Sequence, residues 1–332
     1  MRTAERGFSL LFSGMALVLL SGCSGPQSTL QAAGKGAEEI SSLLWWMILG
    51  GVFIWLGTIC LAIYAVSTEA KRHSDRRIRF LIIGGGAVGP TLVLAGLLLY
   101  SLPMLPELLA PAPPDALRIE VHGKMWWWRV RYPMREGPTV ELANEVRLPV
   151  GEPVEFRLAS DDVIHSFWIP SLGGKIDMFP GRETRLKLEP TKTGFFRGAC
   201  AEFCGNSHAL MNFDVMVMER EEFELWLKSQ QATAEVPNTR LAQHGQRLFL
   251  ETGCHACHTV RGTDAQGVIG PDLTHVGSRR SLAAGALQNE FEEFKTWISN
   301  PGLVKPGAKM PPFDMLPEDQ LHALATYLEG LQ

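Results

Sequence analysis

Charge is scarce in this 332-residue chain, and neither sign dominates. Charged residues make up 20% of the sequence, and 31 Lys and Arg nearly balance 35 Asp and Glu. The formal net charge of -4 excludes the broad basic surface with which proteins bind nucleic acids. Cysteine is also rare, with six residues in all. That number is too low for a disulfide-stapled scaffold, so each cysteine invites a specific explanation.

The first 23 residues predict an export signal. Arg2 and Arg6 give a positive start, and the apolar run over residues 8–20 is too short to span a bilayer. Leu20-Ser21-Gly22-Cys23 resembles the cleavage box of bacterial lipoproteins, which implies lipidation of Cys23 as the mature N-terminus. An uncleaved signal anchor is the alternative.

Residues 24–110 predict a linker and a transmembrane hairpin with spans at about 43–66 and 80–102. Five Lys and Arg lie between the spans, within residues 69–79, and none lies between Arg79 and Arg118. The positive-inside rule therefore places the turn in the cytoplasm and both outer ends in the periplasm. Glycines in the second span favour close helix contacts. We expect the hairpin to lie in the lipid of the bacterial inner membrane and to dock on a larger membrane subunit.

Residues 115–228 change to short strand-like runs separated by Gly and Pro, which predicts an antiparallel Greek-key sandwich or barrel. The predicted strands are Leu117–Val121, Trp126–Tyr132, Val154–Ala159, Thr184–Leu188 and Asp214–Met218.

One loop in this region concentrates metal-binding side chains. Cys200, Cys204, His208 and Met211 fall within twelve residues. Thiolates and thioethers suit copper, and imidazole suits both of its oxidation states. His165 is the best candidate for a further strong ligand. A disulfide or a zinc half-site is the alternative.

Residues 229–238 are polar and predict a linker to a third region, residues 239–332. Cys254-His255-Ala256-Cys257-His258 is the covalent attachment signal for c-type haem, with His258 as the proximal iron ligand. Met310, flanked by prolines, is the candidate distal ligand, and Met315 is the second choice. A redox dithiol or a zinc half-site is the alternative. A flexible linker of about ten residues would keep the haem at high local concentration near the copper loop.

The copper loop, with His165 and the segment Gly173–Arg182, resembles subunit II of the haem–copper cytochrome c oxidases. The haem motif adds a resemblance to class I cytochrome c, as in caa-type oxidases. The two resemblances imply a multidomain chain with an N-terminal two-helix transmembrane hairpin, an all-β cupredoxin domain and an all-α cytochrome c domain. They also imply a dinuclear CuA centre of two copper ions. Its implied ligands are bridging Cys200 and Cys204, terminal His165 and His208, and weak Met211 and the Glu202 carbonyl.

The resemblance implies further roles. Trp126 would pass electrons from cytochrome c to CuA, although a tryptophan on a strand is also typical of a core. The Glu202 side chain would reach a Mg or Mn ion shared with the catalytic subunit, or it would only orient the loop. The Pro271 carbonyl would accept the proximal imidazole N–H. Relatives often carry an acidic residue linked to proton entry where the second span begins; Arg77–Ile83 has none, so the resemblance does not carry that role over to this chain.

The expected function is that of the electron-input subunit of an aerobic terminal oxidase. Electrons would pass from a periplasmic donor, such as a cytochrome c or the cytochrome bc complex, to haem c and then to CuA. They would continue to subunit I, which reduces oxygen to water with proton pumping; subunit III is a further expected partner. The sequence itself has no recognisable oxygen-reducing site.

Other electron-transfer and copper proteins share parts of this pattern. A quinol oxidase subunit II lacks the copper ligands, and nitrous oxide reductase has a large catalytic domain and no membrane hairpin. A copper-binding assembly protein, or a periplasmic electron-transfer protein outside any oxidase, is the alternative function.

Overall fold

The computed structural model describes residues 24–67, 74–134 and 137–332. The predicted export signal, residues 1–23, lies outside the described residues, and so does its lipidation candidate Cys23. Residues 68–73, part of the charged segment between the predicted spans, also lie outside them. The described chain divides into two units. Residues 38–110 form one unit, and residues 24–37 form the other together with residues 111–332.

The unit of residues 38–110 is helical. Helix α1 covers Lys35–Ser67, and a second apolar helix runs from Asp75 to Leu109. Its successive segments are α2 (Asp75–Arg79), a π-helical stretch (Phe80–Val88), α3 (Gly89–Ser101) and α4 (Met104–Leu109). Pro90 has no N–H to donate, and the Gly89 N–H bonds the Gly84 carbonyl five residues back, which locally widens the helix. Both helices are long and apolar enough to cross a membrane, and both predicted spans lie within them.

Two five-stranded sheets form the sandwich domain. The strands are β1 (Leu117–Lys124), β2 (Trp127–Tyr132), β3 (Val140–Ala143), β4 (Glu145–Pro149), β5 (Val154–Ser160), β6 (His165–Trp168), β7 (Ile176–Met178), β8 (Thr184–Leu188), β9 (Gly194–Cys200) and β10 (Asn212–Met218). One sheet has the order β3-β2-β1-β5-β8 and the other β4-β10-β9-β6-β7. Each contains one parallel pair, β1 with β5 and β4 with β10, among antiparallel neighbours. Helix α5 (Arg220–Ser229) closes the domain.

Aromatic side chains from both sheets fill the core between them. The rings of Phe167 and Phe213 stack at 4.7 Å, and Trp128 meets both edge-on. Gly198 on β9 makes room for this stack, because a Cβ there would lie 2.0 Å from the Phe213 ring. The sheet carrying the copper loop therefore has a fixed, close-packed base.

The helical domain follows the sandwich domain. Its helices are α6 (Arg240–Glu251), α7 (Phe291–Ser299), α8 (Pro301–Val304) and α9 (Glu318–Glu329). Helices α6 and α9 cross at Gly245, where a Cβ would lie 2.0 Å from the Ala323 carbonyl oxygen. Phe249 and Tyr327 meet edge-to-face beside the crossing. The domain is helical as expected, apart from a short ladder between β11 (Ser281–Leu282) and β12 (Leu287–Gln288).

The segment between the two domains is extended but held in place. Arg261 donates to the Gln230 carbonyl at 2.7 Å, and its own carbonyl accepts the Ala234 N–H at 2.9 Å. His275 lies 3.2 Å from the Ala232 carbonyl. The expectation of a freely flexible tether is therefore wrong: these hydrogen bonds hold the segment against the helical domain.

The helical domain also docks directly on the sandwich domain. The Arg280 N–H donates to Glu145 at 3.0 Å, and the Ser281 hydroxyl donates to Asp214 at 2.5 Å. Both carboxylates are buried, and they are register partners on the parallel strands β4 and β10. A buried carboxylate needs a hydrogen-bond partner, and here the helical domain supplies one for each.

Candidate metal and haem centres

The two sheets' loops bring the copper-ligand candidates to one end of the sandwich. His165 opens β6, Cys200 ends β9, and Met211 directly precedes β10. Because β9 pairs with both β6 and β10, these three positions meet at one edge of the sheet. A single 3₁₀ turn, His208–Leu210, carries His208 back toward the thiols.

The donor atoms form a row with the two sulfurs in the middle. His165 Nδ1 lies 3.8 Å from Cys200 Sγ, the two Sγ atoms are 3.8 Å apart, and Cys204 Sγ lies 3.5 Å from His208 Nδ1. Met211 Sδ lies 3.8 Å from Cys204 Sγ. Among the described residues, His165, Cys200 and Cys204 form a buried group that can hold a metal ion.

The electrostatics of this group favour metal binding. Both cysteines are free, and the hydrogen bond that their sulfurs share lowers the pKa of Cys200 to about 4 while it raises the pKa of Cys204. One thiolate is therefore present at neutral pH, which is the form that binds metal. The donor set of thiolate, imidazole and thioether fits copper.

Two residues that the sequence analysis did not assign to the site hold His165 in place. Asp162 Oδ1 lies 2.9 Å from His165 Nε2, and its other oxygen accepts the Met125 N–H at 2.7 Å. Although burial favours the neutral imidazole, its contacts with Cys200 and Asp162 raise the pKa of His165. Gly123 lies against the ring, where a Cβ would be 2.7 Å from the His165 Cδ2 atom. In the sequence, the only sign of this close contact is that Gly123 lies inside a strand, where a glycine often marks the close approach of another group.

Trp126 lies between the copper loop and the helical domain. Its Nε1–H donates to the Cys204 carbonyl at 2.9 Å. Its ring packs against Gly205, and on the other side against Gly307 of the helical domain. Only 8% of Trp126 is exposed, and Trp128 is the tryptophan that fills the sandwich core. The helical domain therefore helps to bury Trp126.

Glu202 contributes to the site through its backbone. Its carbonyl oxygen lies 3.2 Å from Cys200 Sγ, which is the position expected for a weak ligand. Its side chain is exposed.

The haem motif forms a 3₁₀ turn, Cys254–Ala256, after α6. Cys254 and Cys257 are free thiols, as a covalent haem requires. His258 Nδ1 lies 2.8 Å from the Pro271 carbonyl oxygen, and this contact leaves Nε2 for iron. Burial lowers the pKa of His258, so the imidazole stays neutral. Gly270 packs on the same ring, where a Cβ would be 2.6 Å from Cε1. These residues fit a c-type haem.

The two methionines proposed as distal ligand differ in burial. Met310 is half-buried against the apolar core of the helical domain, whereas Met315 is 71% exposed. This difference favours Met310 for a ligand that must be held within the protein.

Comparisons with known proteins agree with this arrangement. The family described as cytochrome c oxidase subunit II, periplasmic domain, matches residues 134–218, and the cytochrome c family matches residues 242–332. Cytochrome c oxidase subunit 2 of Alkalihalophilus pseudofirmus is 33% identical over 344 residues, which cover 100% of this chain and 98% of the relative. The chain belongs to the cytochrome c oxidase subunit II family.

Two further similarities were found. Cytochrome c oxidase subunit 2 of Bacillus subtilis is 31% identical over 97% of each chain. A crystal structure of the periplasmic domain of subunit II from Bradyrhizobium japonicum is 32% identical, covers 36% of this chain and 97% of that structure, and has a TM-score of 0.34. As a subunit II, this chain has an electron-input role in an oxidase whose catalytic subunit is a separate chain. Its cupredoxin-like sandwich domain implies copper, and its cytochrome c domain implies haem.

Proposed function

We propose that this subunit II passes electrons from its own haem c to a dinuclear CuA centre, and from there to the haem–copper catalytic subunit that reduces oxygen with proton pumping. The observation that carries the proposal is the contact between the helical domain and Trp126. Gly307 lies three residues before Met310, and its Cα faces the Trp126 ring so closely that a Cβ would be 2.8 Å from it.

Two hydrogen bonds extend this contact toward the copper ligands. Trp126 donates to the carbonyl of Cys204, and the Ser207 hydroxyl donates to the Pro306 carbonyl at 2.7 Å. The loop that carries the proposed distal haem ligand thus touches the copper loop directly at Ser207 and indirectly through Trp126. Fixed packing of this kind keeps the distance between the two centres constant, so electron transfer does not wait for a diffusional encounter.

The row of donors supports two copper ions. The two thiols lie between the two imidazoles, so His165, Cys200, Cys204 and His208 would hold the two ions between them. When bound, the pair of coppers would supply a one-electron carrier without an open position for substrate. Met211 and the Glu202 carbonyl would complete the set. The exposed Glu202 carboxylate is free to reach a Mg or Mn ion shared with subunit I.

The remaining assignments concern the surroundings. We propose that the two apolar helices cross the bacterial inner membrane, with the sandwich and helical domains both on the periplasmic side. Subunits I and III are the proposed membrane partners. A cytochrome c or the cytochrome bc complex is the proposed donor, and it would deliver electrons to the haem because the helical domain covers Trp126.

The test is a rapid-reduction experiment on the full-length chain loaded with copper and haem. Metal and haem analysis should first give two coppers and one covalent haem per chain. After reduction of the haem, the CuA absorption should bleach at the same rate as the haem reoxidises. Cys204→Ser should abolish the bleaching and leave haem attachment intact.

Two results would contradict the proposal. One is zinc, or no metal, between the paired thiols of the purified chain. The other is a CuA centre that accepts electrons from a soluble cytochrome c as fast as from the attached haem. Such a result would mean that the helical domain does not block direct electron entry at Trp126.

A further inference from the structure

Arg129 of the sandwich domain reaches into the haem site of the helical domain. Its Nη2 atom donates to the Val268 carbonyl at 2.6 Å and to the Gly270 carbonyl at 3.1 Å. Arg129 lies on β2, is 7% exposed, and stacks on the Trp127 ring at 5.1 Å. It is thus a buried cation of one domain whose hydrogen bonds are made to the other.

The carbonyls that it binds belong to the segment behind the proximal ligand. Pro271, the next residue, accepts the His258 imidazole N–H at 2.8 Å, and Gly270 packs on the face of the same ring. The proline ring fixes φ, so clamping the Gly270–Pro271 peptide leaves little freedom for the Pro271 carbonyl. Arg129 therefore restrains the segment whose carbonyl orients His258.

Arg129 brings a positive charge from the sandwich domain to the segment behind His258. The helical domain has a cation of its own, Arg279, which donates to the Asp272 carbonyl and is half-buried. Arg129 differs because it leaves the haem site whenever the domains separate. Glu141 partly balances its charge through an ion pair at 2.9 Å.

We propose that Arg129 is a positioning residue of the haem centre, through which the copper-binding domain fixes the Val268–Pro271 segment behind His258 and raises the reduction potential of the haem. A guanidinium group held behind the proximal ligand would favour the reduced form of a bound haem, because reduction removes one positive charge from the centre. Docking of the domains and the driving force for electron transfer are then coupled through one side chain.

Arg131 is the matched control. It lies on the same strand and pairs with the same carboxylate, with Nε 2.8 Å from Glu141 Oε2. Within the described part of the chain it makes no hydrogen bond or ion pair with the helical domain. Arg129→Met and Arg131→Met therefore both remove one positive charge and one partner of Glu141, but only Arg129→Met releases the haem segment.

The experiment is an equilibrium redox titration of the full-length haem-loaded chain, with mediators, followed by haem absorbance. Arg129→Met should lower the ratio of reduced to oxidised haem at a fixed ambient potential about tenfold, which is 59 mV for one electron. Arg131→Met should leave the ratio within about twofold. Arg129→Lys keeps the positive charge but can donate to fewer of the carbonyls, so it should give an intermediate ratio. If Arg129→Met binds no haem, Arg129→Lys is the variant that tests the proposal.

Separation of the domains is tested with Ser281→Ala, which removes the hydrogen bond to Asp214 at an interdomain contact outside the haem-ligand segments. If Arg129 acts as proposed, Ser281→Ala lowers the ratio in the same direction, and the double variant falls no further than Arg129→Met alone. The proposal is overturned if Arg129→Met leaves the potential unchanged, if Arg131→Met shifts it equally, or if the shifts add in the double variant. Because the titration is at equilibrium, the result does not depend on whether electrons pass from haem to copper.

Discussion

Replacing Gly307 with alanine is expected to weaken docking of the helical domain on the sandwich domain. Gly307 has a φ of +83°, and the added Cβ would lie 2.8 Å from the Trp126 ring. The left-handed backbone costs an alanine about 1–2 kcal/mol whether or not the domains touch. The clash exists only when they are docked, and overpacking of this kind costs about 1–3 kcal/mol. The docking equilibrium should therefore fall about 5–150-fold.

Gly151→Ala separates the two effects. Gly151 has a similar φ of +77°, but nothing lies within 4 Å of the position of its added Cβ. This variant therefore carries the backbone strain without the clash. Electron transfer from haem to CuA should slow in Gly307→Ala and stay near the wild-type rate in Gly151→Ala, measured by rapid reduction of the full-length chain. Oxidation of an added soluble cytochrome c should rise only in Gly307→Ala, because Trp126 becomes accessible. Equal rates in the two variants would refute the reasoning.

Three further substitutions test individual contacts. Asp162→Asn should weaken copper binding about 10–100-fold in a competitive titration, since it weakens the group that orients His165; unchanged affinity would remove Asp162 from the site. Gly245→Ala should lower the unfolding free energy of the helical domain by about 1–3 kcal/mol in denaturant, because its Cβ meets a helix backbone. Burial lowers the pKa of Lys305 to about 7, below its unfolded value, so the unfolded chain binds more protons above pH 7. Stability should thus rise by about 1.4 kcal/mol per pH unit from about pH 7 to pH 10, and Lys305→Met should abolish this slope.

The candidate copper and haem residues could be proposed from the sequence because their chemistry is concentrated in short motifs. Cys200 to Met211 places four donors in one loop, and Cys254 to His258 is a covalent attachment signal. His165 could be chosen because a further imidazole was needed. Asp162 could not be found in this way, since its role depends on a hydrogen bond that only the folded β5–β6 loop creates.

Strand prediction succeeded where the local sequence is rich in strand-forming residues and failed where distant segments stabilise the strand. The five predicted strands all occur, with ends that differ by up to three residues. The missed strand β9 contains two glycines and Arg197, which are unfavourable in a strand by local propensity. Its Arg197 N–H bonds the Pro26 carbonyl, and its guanidinium bonds the Gly285 carbonyl, so two distant segments stabilise it. Short-range patterns cannot reveal such partners.

The missed strand β4 shows the same limit at the domain interface. Glu145 and Arg147 give it a charged pattern that argues against a buried strand, yet Glu145 is 3% exposed. The helical domain covers it through Arg280, and Arg147 stacks on Trp226 of α5. The burial of Glu145 is explained by docking of the helical domain on the sandwich domain. The local sequence of β4 does not predict that docking.

These buried carboxylates explain how the docked arrangement is selected. Separation of the domains would return Glu145 and Asp214 to water, so the two groups add little to the strength of docking. Within the sandwich domain, Glu145 pairs with Arg147 and Asp214 with Arg197. A shifted arrangement would still lose the Arg280 N–H and the Ser281 hydroxyl, at a cost of about 1–3 kcal/mol for each buried group left without that partner. The arrangement that makes both hydrogen bonds also sets Gly307 against Trp126 and Arg129 against Gly270. The polar face of the sandwich domain therefore fixes the geometry between the two redox centres.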